Sequence, residues 1–220
     1  MYLLLRLVYI VLFFGLNQAV ASDDPNNAPE PIEPLTQSYH HSLIKSIVIQ
    51  ADSPQKQNIQ RWLEAIARIP KGEQTLKAIA QTDHILTIKH TSAARLSAGR
   101  TIAPMTNDLI NGIGADITII FDGDIPDTGS HRVYDGANQP IEFTAVQNLY
   151  HELAHAMHQM RGTWRYFASE KQAIEEENIF RIQQADQNGI EPKLRFRKSG
   201  FLVEPLAPTH IGYTLPSLSH

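Results

Sequence analysis

The stretch EFTAVQNLYHELAHAMHQMR, from Glu142 to Arg161, decides how this chain folds. Phe143, Val146, Tyr150, Leu153, Ala154 and Met157 recur at helical spacing, which predicts one long helix with an apolar face, stopped by Gly162. Inside it, His151-Glu152-Leu153-Ala154-His155 is an H-E-x-x-H run. Two histidines four residues apart project one above the other from a single helix face, and two imidazoles so placed can share one zinc ion. Composition alone predicts roughly 0.02 such runs in a chain of this length, so accident is the weaker account. Zinc held by three protein groups keeps a fourth position for water and brings that water's pKa to about 7. Glu152, beside the first histidine, is then the candidate general base that takes the proton and hands it to a leaving amine.

Upstream, Asp116-Ile117-Thr118-Ile119-Ile120-Phe121 is the strongest strand signal in the chain, ending in the turn Asp122-Gly123-Asp124. His84 to His90 alternates as another strand, and residues 43–49 (LIKSIVI) predict a first one. Residues 54–68 place Ile59, Trp62, Leu63, Ile66 and Ala67 at helical spacing, and a short helix is expected over Glu73 to Ala80. Residues 91–114 and 124–140 read by composition as irregular connections.

Downstream, Ser169 to Asp186 predicts a second helix that contains Glu170, Glu175, Glu176 and Glu177. At ~100° per residue, Ala173, Ile174, Phe180 and Ala185 bound an apolar sector, and its centre holds Glu170, Glu177 and Arg181. Charges on a buried face need a reason, and a third zinc ligand is one. Glu175 falls on the flank of this wheel, which leaves Glu170 or Glu177; the latter is also placed for an i,i+4 pair with Arg181. His158 reads as a partly buried structural histidine. Arg165 and Tyr166, in the turn between the helices, read as a surface arginine and a packed tyrosine. No ligand spacing connects the other histidines.

The composition bounds the rest. A chain of 220 residues, 42% hydrophobic and 19% charged, is long enough for one well-buried domain and excludes coiled-coil, collagen-like or wholly disordered classes. With 19 basic against 23 acidic residues and no basic run, nucleic acid is not an expected partner. The absence of cysteine excludes disulfides and thiolate ligands. At the amino end, Arg6, the apolar run Leu7 to Gly15 and Ala19-Val20-Ala21 read as a signal peptide over residues 1–21, whose apolar stretch, broken by Arg6 and ended by Asn17, is short of the ~20 residues of a spanning helix. Cleavage is expected before Ser22, giving an exported protein, periplasmic or secreted in a bacterial source, with no stable membrane anchor. Residues 22–38, rich in Pro and acidic side chains, read as a flexible linker. The folded domain is expected over 39–208, followed by a tail at 209–220.

The run Leu149-Tyr150-His151-Glu152-Leu153-Ala154-His155-Ala156, then Glu170-x-x-Ala173-Ile174, Glu177-Asn178-x-x-Arg181 and Gly189-Ile190-x-Pro192-x-x-Arg195, resembles the zinc metallopeptidases found among type III secretion effectors of plant and enteric pathogens. The resemblance covers about residues 145–197. It implies a zincin-like α+β fold: a small mixed sheet, an H-E-x-x-H active-site helix and a second, glutamate-bearing helix. It also implies gluzincin-like ligands for Zn2+, His151, His155 and Glu170, with Glu177 as the alternative third ligand. Glu177, Asn178 and Arg181 are otherwise left as structural groups around the site. Two departures stand out: the glutamate segment and the Glu-Asn element, separate in that family's pattern, are fused here into one helix, and a cleavable signal replaces an uncleaved export region. The function so implied is a zinc metalloendopeptidase acting on a peptide or protein substrate. The competing class is a non-catalytic exported zinc-binding or interaction protein of the same fold.

Overall fold

The computed structural model describes residues 42–92 and 99–196, and the backbone of a short strand at Glu204–Pro205. The signal segment, the linker over 22–38 and the tail over 209–220 lie outside the described residues. Strands β1 (Val48–Gln50), β2 (Leu86–His90), β3 (Gly99–Ile102) and β4 (Ile117–Phe121) form a mixed sheet in the order β1-β2-β4-β3. The first three in that order run parallel, and β3 pairs antiparallel to β4 along the edge. Leu86 and Ile88 of β2 and Ile117, Ile119 and Phe121 of β4 alternate into the core, as period-two patterning requires.

Helices α1 (Ser53–Ala67) and α2 (Pro70–Ala80) each begin with a proline in the first turn, where its missing N–H has no intrahelical partner to lose. Their junction is tight: a Cβ on Gly72 would lie 2.0 Å from the Ile66 carbonyl oxygen, so only glycine fits there. Helix α3 (Ala145–Met160) is opened by a capping box between Thr144 and Gln147. It is buried on nearly every side, with β3 and β4 against one flank and α1, α2 and α4 (Ser169–Asn188) around the rest. Tyr150 illustrates the packing: its ring stacks on Phe180 at 4.1 Å and its hydroxyl reaches Thr75 at 3.1 Å. A mixed sheet is thus followed by helices that carry candidate metal-binding residues. No helix among the described residues is long and apolar enough to cross a membrane.

Four local expectations need correction. Residues 42–45 form a helical turn, and the first strand is confined to Val48–Gln50. The apolar run there is short, and Leu43, Ile44 and Ile47 bury themselves at helical spacing. The segment read as irregular over 91–114 contains β3 and a short 3-10 helix at Asn107–Ile110. The segment read as loop over 124–140 contains β5 (His131–Tyr134) and the start of β6 (Pro140–Phe143), which pair as a hairpin and join β7 (Glu204–Pro205) in a second sheet. Its turn is closed by Asp135, whose carboxylate accepts from Ala137 N and Gln139 N. Because β6 claims Glu142 and Phe143, α3 begins at Ala145 rather than Glu142.

Candidate metal centre

His151 and His155 sit one turn apart on the buried face of α3, with ring centroids 4.8 Å apart. After α3 the chain turns at Gly162 in the left-handed region (φ 63°), where a Cβ would press on the backbone of Gly112 and Ile113. Gln172 then stitches the turn to the new helix: its amide donates to Thr163 O at 3.0 Å and accepts from Arg165 N at 3.0 Å. This registers α4 so that Glu170, in its first turn, lies across both imidazoles. Its Oε2 is 3.5 Å from His151 Nε2 and its Oε1 is 3.2 Å from His155 Nε2. A tetrahedral ion with bonds of about 2.0–2.1 Å separates its ligand atoms by about 3.3 Å, so each contact, though made by a different oxygen, is near the separation that one ion would bridge. One donor atom from each of the three residues lies within 4.8 Å of the others. Two imidazoles and a carboxylate are a donor set that suits zinc.

Glu177 stands two turns further along α4, about 10 Å by helical rise, and meets His151 from the other side. Its carboxylate is fully buried. Arg181 Nε donates to Oε1 at 2.6 Å and Arg195 Nη1 donates to Oε2 at 2.9 Å. His151 Nδ1 is 3.0 Å from the same Oε2. Burial acts to raise this carboxyl's pKa, but Arg181 and Arg195 outweigh it and hold the group well below the usual carboxylate range. An ionised carboxylate only accepts, so the proton on this side of His151 belongs to Nδ1 and the ring's Nε2 faces Glu170. Burial and Arg195 press the His151 pKa down; the hydrogen bonds to Glu170 and Glu177 overcome them and lift it to about 9. His151 and His155 in turn hold Glu170 well below the carboxylate range. The three side chains converge on one point, where a bound cation would replace the proton that His151 Nε2 shares with Glu170.

Glu152 points from α3 toward the sheet edge. Thr101 of β3 donates its hydroxyl to Glu152 Oε2 at 2.7 Å, with the Glu152 carbonyl oxygen a longer second acceptor at 3.1 Å. Gly99, two residues earlier on the strand, leaves the room that this side chain occupies: a Cβ there would lie 2.8 Å from Glu152 Cγ and from the Phe121 ring. Thr101 and Gly99 escaped the sequence reading because β3 did; a small-residue, period-two pattern through Gly99 and Thr101 is its sole sequence signal. Arg195 is quoted in the family pattern above, yet nothing in its spacing pointed to His151.

The remaining candidates lie elsewhere. Glu175 faces outward toward Lys171 and Arg165, each 3.8 Å away. His158 has structural partners, Thr163 Oγ1 at 2.9 Å and Glu176 at 3.5 Å. Tyr166 is half-exposed rather than packed, its ring edge-on to Trp164 and Phe167. A second group, His90, Asp122 and Asp124, also has the spacing to hold an ion. There, however, His90 Nδ1 accepts the Gly123 N–H at 3.0 Å, which puts the ring proton on Nε2, facing Asp124 at 3.6 Å. With His90 Nδ1 and Asp122 Oδ1 both taken up by backbone N–H groups of Gly123 and Asp124, this cluster braces the turn.

No curated protein sequence matches the chain. Among solved structures, the light chain of botulinum neurotoxin serotype HA is similar over 50% of this chain, at 16% identity and a TM-score of 0.34. The chain spans 35% of that light chain's length, and so loose an overlay carries no argument. The Peptidase_M91 family, described as effector protein, matches residues 45–188, a span that includes the sheet, α3 and all of α4. By that match the chain belongs to the Peptidase_M91 effector protein family.

Proposed function

We propose that the protein is an exported, zincin-like, zinc-dependent metallopeptidase that hydrolyses peptide bonds in a peptide or protein substrate. One observation carries the reading: His151, His155 and Glu170 converge from two helices with one donor atom of each within 4.8 Å of the others. His151 and His155 would hold zinc through Nε2 and Glu170 through its carboxylate. Zinc bound there supplies Lewis acidity toward a carbonyl oxygen and toward water. Glu177 fixes the His151 ring and keeps its proton on Nδ1, the arrangement by which a carboxylate orients a ligating histidine. Glu152 accepts a proton from water and delivers it to the nitrogen of the departing peptide. Thr101 holds Glu152 Oε2, so Oε1 is the oxygen free to carry that proton. The signal sequence over residues 1–21 supports export, with Ser22 as the mature terminus and 39–208 as the peptidase domain.

The test is an incubation of the purified chain with an unfolded polypeptide. Cleavage should stop on chelation and return on addition of zinc, and His151→Ala or His155→Ala should remove most of the metal. A wild-type chain that retains zinc and cleaves nothing would favour the non-catalytic zinc-binding class. Undiminished zinc in both histidine variants would move the site elsewhere.

A further inference from the structure

Arg195 lies seven residues beyond the span matched by the family, on a segment that follows α4 without helix or strand. Its position is nevertheless tightly set. Asn178, the residue after Glu177, clasps its peptide unit in both directions: Arg195 N donates to Asn178 Oδ1 at 2.8 Å and Asn178 Nδ2 donates to Arg195 O at 2.9 Å. Phe196 N donates to Tyr134 O at 2.7 Å, tying the segment to β5, and the Arg195 guanidinium lies over the Phe143 ring at 5.1 Å. The result is that Nη1 reaches Glu177 Oε2 at 2.9 Å, the same oxygen that receives His151 Nδ1, and itself stands 3.2 Å from that nitrogen.

Arg181 shows why that contact matters. It grips Glu177 Oε1 through Nε alone, and its Nη2 is buried with no hydrogen-bond partner among the described residues. Arginine and carboxylate favour a two-pronged fork, and Arg181 has the second prong unused. Closing that fork requires Oε2 to swing toward Arg181 and away from His151. Arg195 holds Oε2 where His151 needs it.

We propose that Arg195 is a positioning residue for the metal centre, and that the Asn178 clasp on its backbone makes the segment after α4 part of the zinc site. The proposal rests on His151 being a zinc ligand, and its test reads metal affinity and ring geometry, with no dependence on cleavage. Zinc affinity of the full chain would be measured by chelator competition, and the His151 ring nitrogens by 15N NMR of the zinc-loaded protein. Arg195→Gln should weaken zinc binding roughly 10-fold or more, the usual cost of losing an outer partner of a ligand, and shift the His151 Nδ1 signal. Arg195→Lys, which keeps one charged donor, should recover part of both. Asn178→Ala touches no zinc ligand through its side chain and should move both readouts in the same direction. If Arg195→Gln and Asn178→Ala melt earlier but keep wild-type zinc affinity and His151 signals while folded, Arg195 is structural only and the proposal is overturned. Normal dependence on Arg195 in a chain that cleaves nothing would retain the proposal and remove the peptidase reading.

Discussion

Replacing Glu177 separates a scaffold carboxylate from a metal-binding one. The side chain is fully buried, and its two arginine partners are nearly so, with Arg181 3% and Arg195 11% exposed. Removing one member of a buried ion pair leaves its partners charged in a poor solvent, at a cost of about 3–5 kcal/mol. Such a loss is a large share of a typical domain's stability and lowers the melting temperature of a chain this size by about 10 °C. Glu177→Gln preserves the volume but must aim an amide N–H at an arginine or at His151. It should therefore cost nearly as much as Glu177→Ala, whereas a cavity effect alone would spare the glutamine variant. The assay is reversible urea unfolding of both variants beside wild type. A glutamine variant within about 0.5 kcal/mol of wild type would refute the argument that the charge organises this part of the fold.

Glu170→Ala should behave in the opposite way: its side chain is 45% exposed, so unfolding of the metal-free chain should change by less than about 1 kcal/mol while zinc affinity and cleavage fall together, measured by metal content and peptide hydrolysis. Should Glu177→Ala lose the metal at a temperature where it is folded while Glu170→Ala keeps it, the third ligand is Glu177. Gly99→Ala drives a methyl group against Glu152 and Phe121; it should cost about 1–3 kcal/mol and reduce cleavage with zinc content unchanged. Glu176, facing His158 at 3.5 Å and paired with Lys71, has its pKa lowered from 4.5 to about 2. A depressed folded-state pKa means that this contribution is complete above about pH 4.5 and is lost as pH falls toward 2, so Glu176→Gln should flatten the acid limb of melting temperature against pH.

The helix through His151 was legible because periodic apolar residues and a stop at Gly162 agree, whereas its start was misplaced because the Thr144 and Gln147 capping box went unread. The choice between Glu170 and Glu177 was less so. Both fall at the centre of one face of the predicted helix, and sequence does not say that the two lie against opposite nitrogens of the same imidazole. That depends on the turn over 162–168, where the Gln172 hydrogen bonds set the register of α4. Edge strand β3 was hidden for a different reason. Gly99-Arg100-Thr101-Ile102 is short and opens on a glycine, and its pairing with β4 is a tertiary choice that also delivers Thr101 to Glu152. Arg195 depends on the Asn178 clasp, a contact across seventeen residues that no periodicity encodes.

The most direct measurement is a parallel assay of zinc content and peptide cleavage in Glu152→Gln. The substitution keeps the shape of the side chain and an oxygen to accept the Thr101 hydroxyl, but the amide is too weak a base to take a proton from water. The account predicts one zinc ion per chain, as in wild type, with cleavage reduced by at least about 100-fold. Wild-type cleavage by a folded, zinc-loaded Glu152→Gln chain would contradict it.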